Sequence, residues 1–379
     1  MRARNEVVLP PFLGSTLRGA FGHALKESVC VISHRDCSGC LLVERCLYPR
    51  LFEPEARNGE GLLAKRQDAP RPFIFIPPLP STDSGLMRAR DDLLRWRVRV
   101  KADESVVFGL SLVGEAIQEL PYIIHAIRMM SQNGFGAERT SFQLERVSAL
   151  NYQGEREIVF TSETTRIREH DKYHASLGVL TQARIFQLAT ENVPERTLAA
   201  TAGALTVGTN VPSTKSMTLA GEHASGVAIP GPEPTADSSI SNRQSAIGNE
   251  ITLRFITPTR LRIKGEVIEN PSFAQLISSL SLRLAMMAQT YGTESLSYDH
   301  KAVIERARDV STRNSTLRLM ALNRFSSRRR TKLVIDGFMG DVTFNGEAIQ
   351  ELLPLIVAGE FLHVGSGTAF GMGRYVVVN

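Results

Sequence analysis

Apolar residues recur every four positions along the first helix-length stretch of the chain, at Leu17, Phe21, Leu25 and Val29. That period predicts a helix from about Ser15, because side chains four apart stack on one face. The opposite face collects Gly19, Gly22, His23, Lys26 and Cys30, with Arg18 nearby. A short strand, Glu6 to Leu9, precedes the helix and ends at Pro10 and Pro11. Alternation returns between Trp96 and Val113, Gly114 to Gln132 reads as a second helix, and NGFGAERTSFQLERV (133–147) as a glycine turn entering a strand. A cleaner pattern opens at Ile251. Ile251, Leu253 and Phe255 alternate as in a half-buried strand, and Leu261 and Ile263 resume after Pro258. Asn270 and Pro271 start a helix running to about Tyr291. Strands follow at Thr331–Phe338 and Asp341–Phe344, joined by a glycine turn, then a helix over Gly346–Gly359 and a last strand over Arg374–Val378.

The C-terminal order is β-α-β-β-α-β, and the N-terminal region carries the same ingredients less cleanly. The expected fold class is therefore α+β, with two tandem ferredoxin-like domains, 1–160 and 250–379. Between them, 161–249 reads as a low-complexity linker or poorly ordered insertion. No aromatic residue occurs between Phe186 and Phe255, so this stretch has little to bury.

Composition narrows the function classes. Of 379 residues, 42% are hydrophobic and 22% charged, which excludes wholesale disorder. The longest apolar runs fall well short of the ~20 residues that span a bilayer, and the start has no apolar signal core, so a cytoplasmic location is expected. The net charge of +5 lies entirely in residues 251–379, which hold 16 basic and 11 acidic side chains. Its densest run is RFSSRRRTK, Arg324 to Lys332, a face suited to nucleic acid or simply to water.

All four cysteines fall in one short stretch, Cys30, Cys37, Cys40 and Cys46. In a reducing compartment such clustering favours structural zinc over disulfides, with an iron–sulfur cluster or unliganded thiols as the alternatives. His34 is an alternative ligand. A second cluster is HVGSGTAFGMGRYVVV, with Gly365, Gly367, Gly371 and Gly373 between a helix and the last strand. Glycines so placed either let backbone N–H groups approach phosphate or serve a tight turn. The loop lacks the lysine and the helix start of a nucleotide-binding loop.

Taken in order, PPFLGSTLRGAFGHAL, the cysteines ending in CLYPRLFEP, GFGAERTSFQLERV, ITLRFITPTRLRIKG, NRFSSRRR and FLHVGSGTAFGMGRY resemble the CRISPR-associated endoribonucleases that cut precursor crRNA, members of the RAMP superfamily. The resemblance covers roughly 5–150 and 250–379. It implies paired ferredoxin-like domains and a metal-independent cut within CRISPR repeat RNA that leaves a 2′,3′-cyclic phosphate. It also implies a catalytic histidine on or just after the first helix. His23 fits, then His34, then His363, with Lys26 and Arg18 as neighbouring cations. RNA supplies its own 2′-hydroxyl nucleophile, so a base, an acid and cations suffice. No cofactor is then needed for catalysis. Candidate RNA contacts are Gly365, Gly367, Gly371, Gly373, His363, Arg254, Arg260, Arg262, Lys264, Arg324, Arg328, Arg329 and Arg330. Subunits of a CRISPR effector complex are further expected partners, and no membrane is. The competing functions are a non-catalytic crRNA-binding subunit and a zinc-containing DNA-binding regulator. The latter is disfavoured because KESVCVISHRDC supplies no recognition helix.

Overall fold

The computed structural model describes residues 1–10, 12–32, 37, 39–54, 69–78, 98–136, 138–151, 155–164, 166–168, 174–190, 207–208, 248–263, 265–292, 299–326 and 331–378. His34, Lys264, Arg328, Arg329 and Arg330 lie outside the described residues.

The N-terminal part begins with β1 (Arg2–Ala3), β2 (Val7–Leu9) and helix α1 (Gly14–Val29). Leu17, Phe21 and Leu25 are fully buried, as their spacing requires. Next come α2 (Leu47–Phe52), β3 (Phe73–Ile76), β4 (Val98–Val100), β5 (Gly109–Leu112) and α3 (Leu120–Asn133), which packs along α1. β6 (Phe142–Gln143), β7 (Arg146–Leu150) and β8 (Arg156–Thr161) complete it. Among the described residues these strands pair in twos, β1 with β6, β2 with β4, β3 with β5 and β7 with β8. The core centres on Phe21, Phe52, Phe73 and Phe75, where Phe21 and Phe73 each lie within 5.0 to 5.8 Å, centroid to centroid, of the other three rings.

Within 161–249, β9 (Ala175–Ser176) pairs in parallel with β10 (Val207–Gly208), and Leu177–Thr190 forms helix α4. The expectation of a linker fails for α4. Its Ile185 and Leu188 join the C-terminal core, so three or four aliphatic residues at helical spacing suffice where aromatic ones are missing.

The C-terminal part runs β11 (Glu250–Thr259), β12 (Leu261–Ile263), β13 (Glu266–Ile268), α5 (Phe273–Tyr291), α6 (His300–Ala307), β14 (Ser311–Ser315), β15 (Arg318–Ser326), β16 (Thr331–Asn345), α7 (Ala348–Leu362) and β17 (Tyr375–Val378). Ser272 caps α5 by accepting from the Gln275 N–H while the Gln275 side chain accepts from the Ser272 N–H. The antiparallel sheet has the order β14-β16-β11-β17, with β15 extending the β14 side of β16. One face, with Leu253, Phe255, Phe344 and Tyr375, packs on Phe273, Leu276, Leu353 and Ile356 of α5 and α7.

The paired middle strands differ from the sequence expectation. Thr331–Asn345 is one long strand, and its antiparallel partner is β15. Gly340, the glycine expected to turn the chain, and Gly337 within the strand both have other tasks. A side chain at Gly337 would meet the Thr259 backbone at 2.6 Å, and Gly340, with φ +120°, marks the place where β16 changes partner from β15 to β14.

Helix α4 also protects the free edge of β17. The Val377 N–H donates to Glu360 at 2.6 Å, Glu360 pairs with Arg184 at 3.0 Å, and Arg184 donates to the Val377 carbonyl at 3.4 Å. These two side chains occupy the hydrogen bonds that a neighbouring strand would otherwise make. Burial raises the Glu360 carboxyl pKa, a shift that Arg184 and the Val377 N–H oppose. A raised folded-state value means stability falls as pH rises above the ordinary carboxylate range. Arg184→Ala removes the compensating cation and should destabilise by about 3 kcal/mol. The deficit should be largest at neutral and alkaline pH and should shrink in acid, where Glu360 is protonated. Urea unfolding at several pH values checks this; an equal loss at all pH values would count against it.

Candidate RNA-cleavage site

The glycine-rich loop is the joint between the two parts. Gly365, Gly367, Gly371 and Gly373 all have positive φ, between +72° and +85°. The loop is sewn to the end of β11: Thr257 donates to the Gly371 carbonyl (2.8 Å), Gly373 N–H to Pro258 (3.0 Å) and Ser366 N–H to Arg260 (2.9 Å). Further N–H groups, those of Val364, Phe370, Gly371 and Met372, donate within the loop itself. On the other side it meets the N-terminal part. A Cβ on Gly14, the first residue of α1, would fall 1.7 Å from the Phe370 carbonyl, and one on Gly371 would fall 2.4 Å from that of Phe75 in β3. Phe12, Phe370, Met372 and the β15–β16 residues Met320, Ile335 and Met339 pack together here. Gly371 and Gly373 are buried, and their task is close packing rather than an open cradle for phosphate. Gly365 and Gly367 are half-buried, and Ser366 between them is exposed.

His363 is also corrected. It is 1% exposed, with Nδ1 3.1 Å from the Met372 carbonyl. Burial first, then the Arg374 and Arg283 charges, holds its imidazole well below the usual pKa, so it is a neutral packing residue closing α7. Helix α7 is closed by Arg283 as well, which donates to the Leu362 carbonyl at 2.6 Å. Two expected RNA contacts on β11 and just beyond are similarly committed. Arg254 makes a two-pronged pair with Asp341 (3.0 and 3.1 Å), directly opposite in the β11–β16 register, and Arg260 pairs with Asp336 at 3.0 Å. Arg262 is exposed and donates to Gly265 across its own hairpin (3.0 Å). Arg324 lies in β15 opposite Leu333.

The part of α1 next to the loop carries cations set against aromatic rings. The Arg18 guanidinium sits between two rings, 5.2 Å from the Phe52 centroid and 5.0 Å from that of Phe370. An aromatic clamp of this kind orients a cation while leaving its charge in place. Phe52 stacks on Tyr48 (5.2 Å, 3°), and the Lys26 ammonium lies 5.0 Å from the Tyr48 centroid. A line of rings and cations therefore runs under α1 from the glycine loop to the cysteines. Gly22 lets Phe52 approach, since a Cβ there would meet the ring at 2.6 Å. His23, the next residue, is exposed. Lys26 points to the cysteines: it hydrogen-bonds Cys37, and Lys26, Cys30, Cys37, Cys40, Val43, Cys46, Tyr48 and Pro49 line one small pocket. Burial pulls the Lys26 pKa down, but that hydrogen bond and the fields of Cys37, Tyr48 and Cys30 outweigh it and raise the value. Sequence reasoning set Lys26 beside His23 as a neighbouring cation; in the structure it lines the cysteine pocket. It missed Tyr48, Phe52 and Phe370, although CLYPRLFE and GTAFG carry them.

Residues 253–375, from β11 through the glycine loop, match the family model of the CRISPR-associated endoribonuclease Cas6. The resemblance to CRISPR-associated precursor-crRNA-processing endoribonucleases is borne out. Residues 1–172 match a separate model, AF_1859_N, described as an N-terminal domain. An uncharacterized protein of Archaeoglobus fulgidus is 30% identical over 129 residues, 34% of this chain and 37% of that protein. Thermus thermophilus Cas6 is 23% identical over 34% of this chain and 53% of its own, with a TM-score of 0.28. A Cas6 product complex aligns over 98% of this chain and 97% of its own at 14% identity, with a TM-score of 0.42. A Cas6-RT-Cas1–Cas2 complex aligns over 34% of this chain and 14% of its own, at 13% identity and a TM-score of 0.26. The match thus spans little more than a third of the curated relative and about half of the first Cas6 structure. Among the described residues, no helix is long and apolar enough to cross a membrane.

Proposed function

We propose that this protein is an endoribonuclease that cuts CRISPR repeat RNA in precursor crRNA, using two ferredoxin-like units joined by the glycine loop. One observation carries the reading: the Cas6-matching segment ends on a loop that seats Phe370 against Arg18, on the helix that also carries the exposed His23. His23 serves as the base that takes the 2′-hydroxyl proton, and Arg18 offsets the charge that develops on the phosphorane. The 2′-oxygen bonds to phosphorus, the P–O5′ bond breaks, and the products are a 2′,3′-cyclic phosphate and a 5′-hydroxyl. The leaving oxygen takes its proton from water or from the protonated imidazole. This reaction needs no metal. Arg262 and the run Arg324 to Lys332 hold the repeat backbone.

The test is incubation of the purified protein with a repeat transcript from its own locus, in EDTA and with duplex DNA as competitor. One cut per repeat is expected, undiminished by either addition. Tight binding without a cut would replace the reading by that of a crRNA-binding effector subunit, and preference for duplex DNA would replace it by that of a regulator.

A further inference from the structure

The cysteine pocket has no part in RNA cleavage as derived above. Cys30 follows the last residue of α1, Cys46 precedes the first residue of α2, and Cys37 and Cys40 lie on the turn between, with Cys40 N–H donating to the Cys37 carbonyl at 3.2 Å. The chain thus brings four soft ligands to one pocket from both ends of a short connection, and two of them have the Cys-x2-Cys spacing that presents both thiolates to one ion. The remaining wall is Lys26, Val43, Tyr48 and Pro49, one cation among apolar groups. Among the described residues no three Cys, His, Asp or Glu side chains already converge on a point, and the Cys30 thiol donates instead to Ile32 at 3.0 Å.

We propose that this pocket takes one zinc ion on the thiolates of Cys30, Cys37, Cys40 and Cys46, with Lys26 as the positioning residue that balances its charge. Binding releases four thiol protons and leaves a zinc tetrathiolate of net charge −2; the Lys26 ammonium, already hydrogen-bonded to Cys37, brings the pocket to −1. Cys30 exchanges its bond to Ile32 for the metal, which draws the end of α1 toward the start of α2. Helix α2 carries Tyr48 and Phe52, the rings under Lys26 and Arg18, so the ion fixes the aromatic floor of the α1 face. This inference does not depend on the RNA reading.

The experiment uses the full chain, reduced, reconstituted with zinc and desalted, with RNA absent. About one zinc per chain is expected, and Co²⁺ in its place should give the intense absorption of a tetrahedral thiolate site. Lys26→Met should surrender zinc to a competing chelator at roughly 10–100-fold lower chelator concentration, and Lys26→Arg should restore retention. Since Cys37→Ser would disturb folding as well as ligation, the cobalt spectrum of the unaltered protein decides the ligand set. Failure to retain zinc, a weak octahedral cobalt spectrum, or a Lys26→Met protein that holds zinc as firmly as the parent would each overturn the proposal.

Discussion

His23→Ala is expected to reduce single-turnover cleavage of repeat RNA by about 10²–10⁴-fold, the range that a general base contributes, while RNA affinity stays near its original value. The physical case rests on position. His23 is exposed on α1, one residue after the glycine that lets Phe52 pack close, on the helix that also carries the clamped Arg18. Imidazole is the side chain suited to exchanging a proton near neutral pH. His363, the other described histidine weighed for this task, is buried and neutral and cannot meet an RNA strand. A binding assay run beside the cleavage assay separates loss of chemistry from loss of contact. Cleavage by His23→Ala at the original rate would reject the assignment and pass the role to His34.

Gly373→Ala should destabilise the protein by at least ~2 kcal/mol, from a left-handed backbone that costs a substituted residue ~1–2 kcal/mol and from overpacking of similar size. The added Cβ would stand 1.8 Å from the Val364 carbonyl, at φ +72°, in a loop whose N–H donates to Pro258. Because the clash is with backbone, no side-chain rotation relieves it. Gly19→Ala is the control: nothing lies within 4 Å of a Cβ there, and alanine should stabilise α1 by ~0.5–1 kcal/mol. Urea denaturation of the two variants measures both effects. A Gly373→Ala protein as stable as its parent, with RNA affinity alone reduced, would return this glycine to the phosphate-cradle role.

What was legible in the sequence was periodicity. The four-residue spacing in α1, the alternation of Ile251, Leu253 and Phe255, and the Pro271 start of α5 all report one buried face, which a chain pattern records directly. What escaped were groups whose meaning depends on a distant partner. Arg254 and Arg260 read as an RNA-binding stripe until the β11–β16 register sets Asp341 opposite Arg254 and brings Asp336 to Arg260. Gly340 read as a turn because nothing local reveals that the strand runs on through it and changes partner there. Helix α4 hid in a stretch poor in aromatics, and the edge it protects, at Val377, is almost two hundred residues away. Helix α1 was half readable: helical facing grouped His23 and Lys26, with Arg18 nearby, but only the fold shows Phe52 and Phe370 holding Arg18 and Tyr48 with Cys37 drawing Lys26 aside.

The central claim is that the substrate's own 2′-hydroxyl is the nucleophile, activated at the α1 face without a metal. A repeat RNA with a single 2′-deoxy residue immediately before the scissile phosphate tests it, in single turnover with EDTA present. The ribose substrate should be cut once to give a 2′,3′-cyclic phosphate, and the deoxy substrate should bind and stay whole. Cutting of the deoxy substrate, or loss of all cutting of the ribose substrate in EDTA, would contradict it.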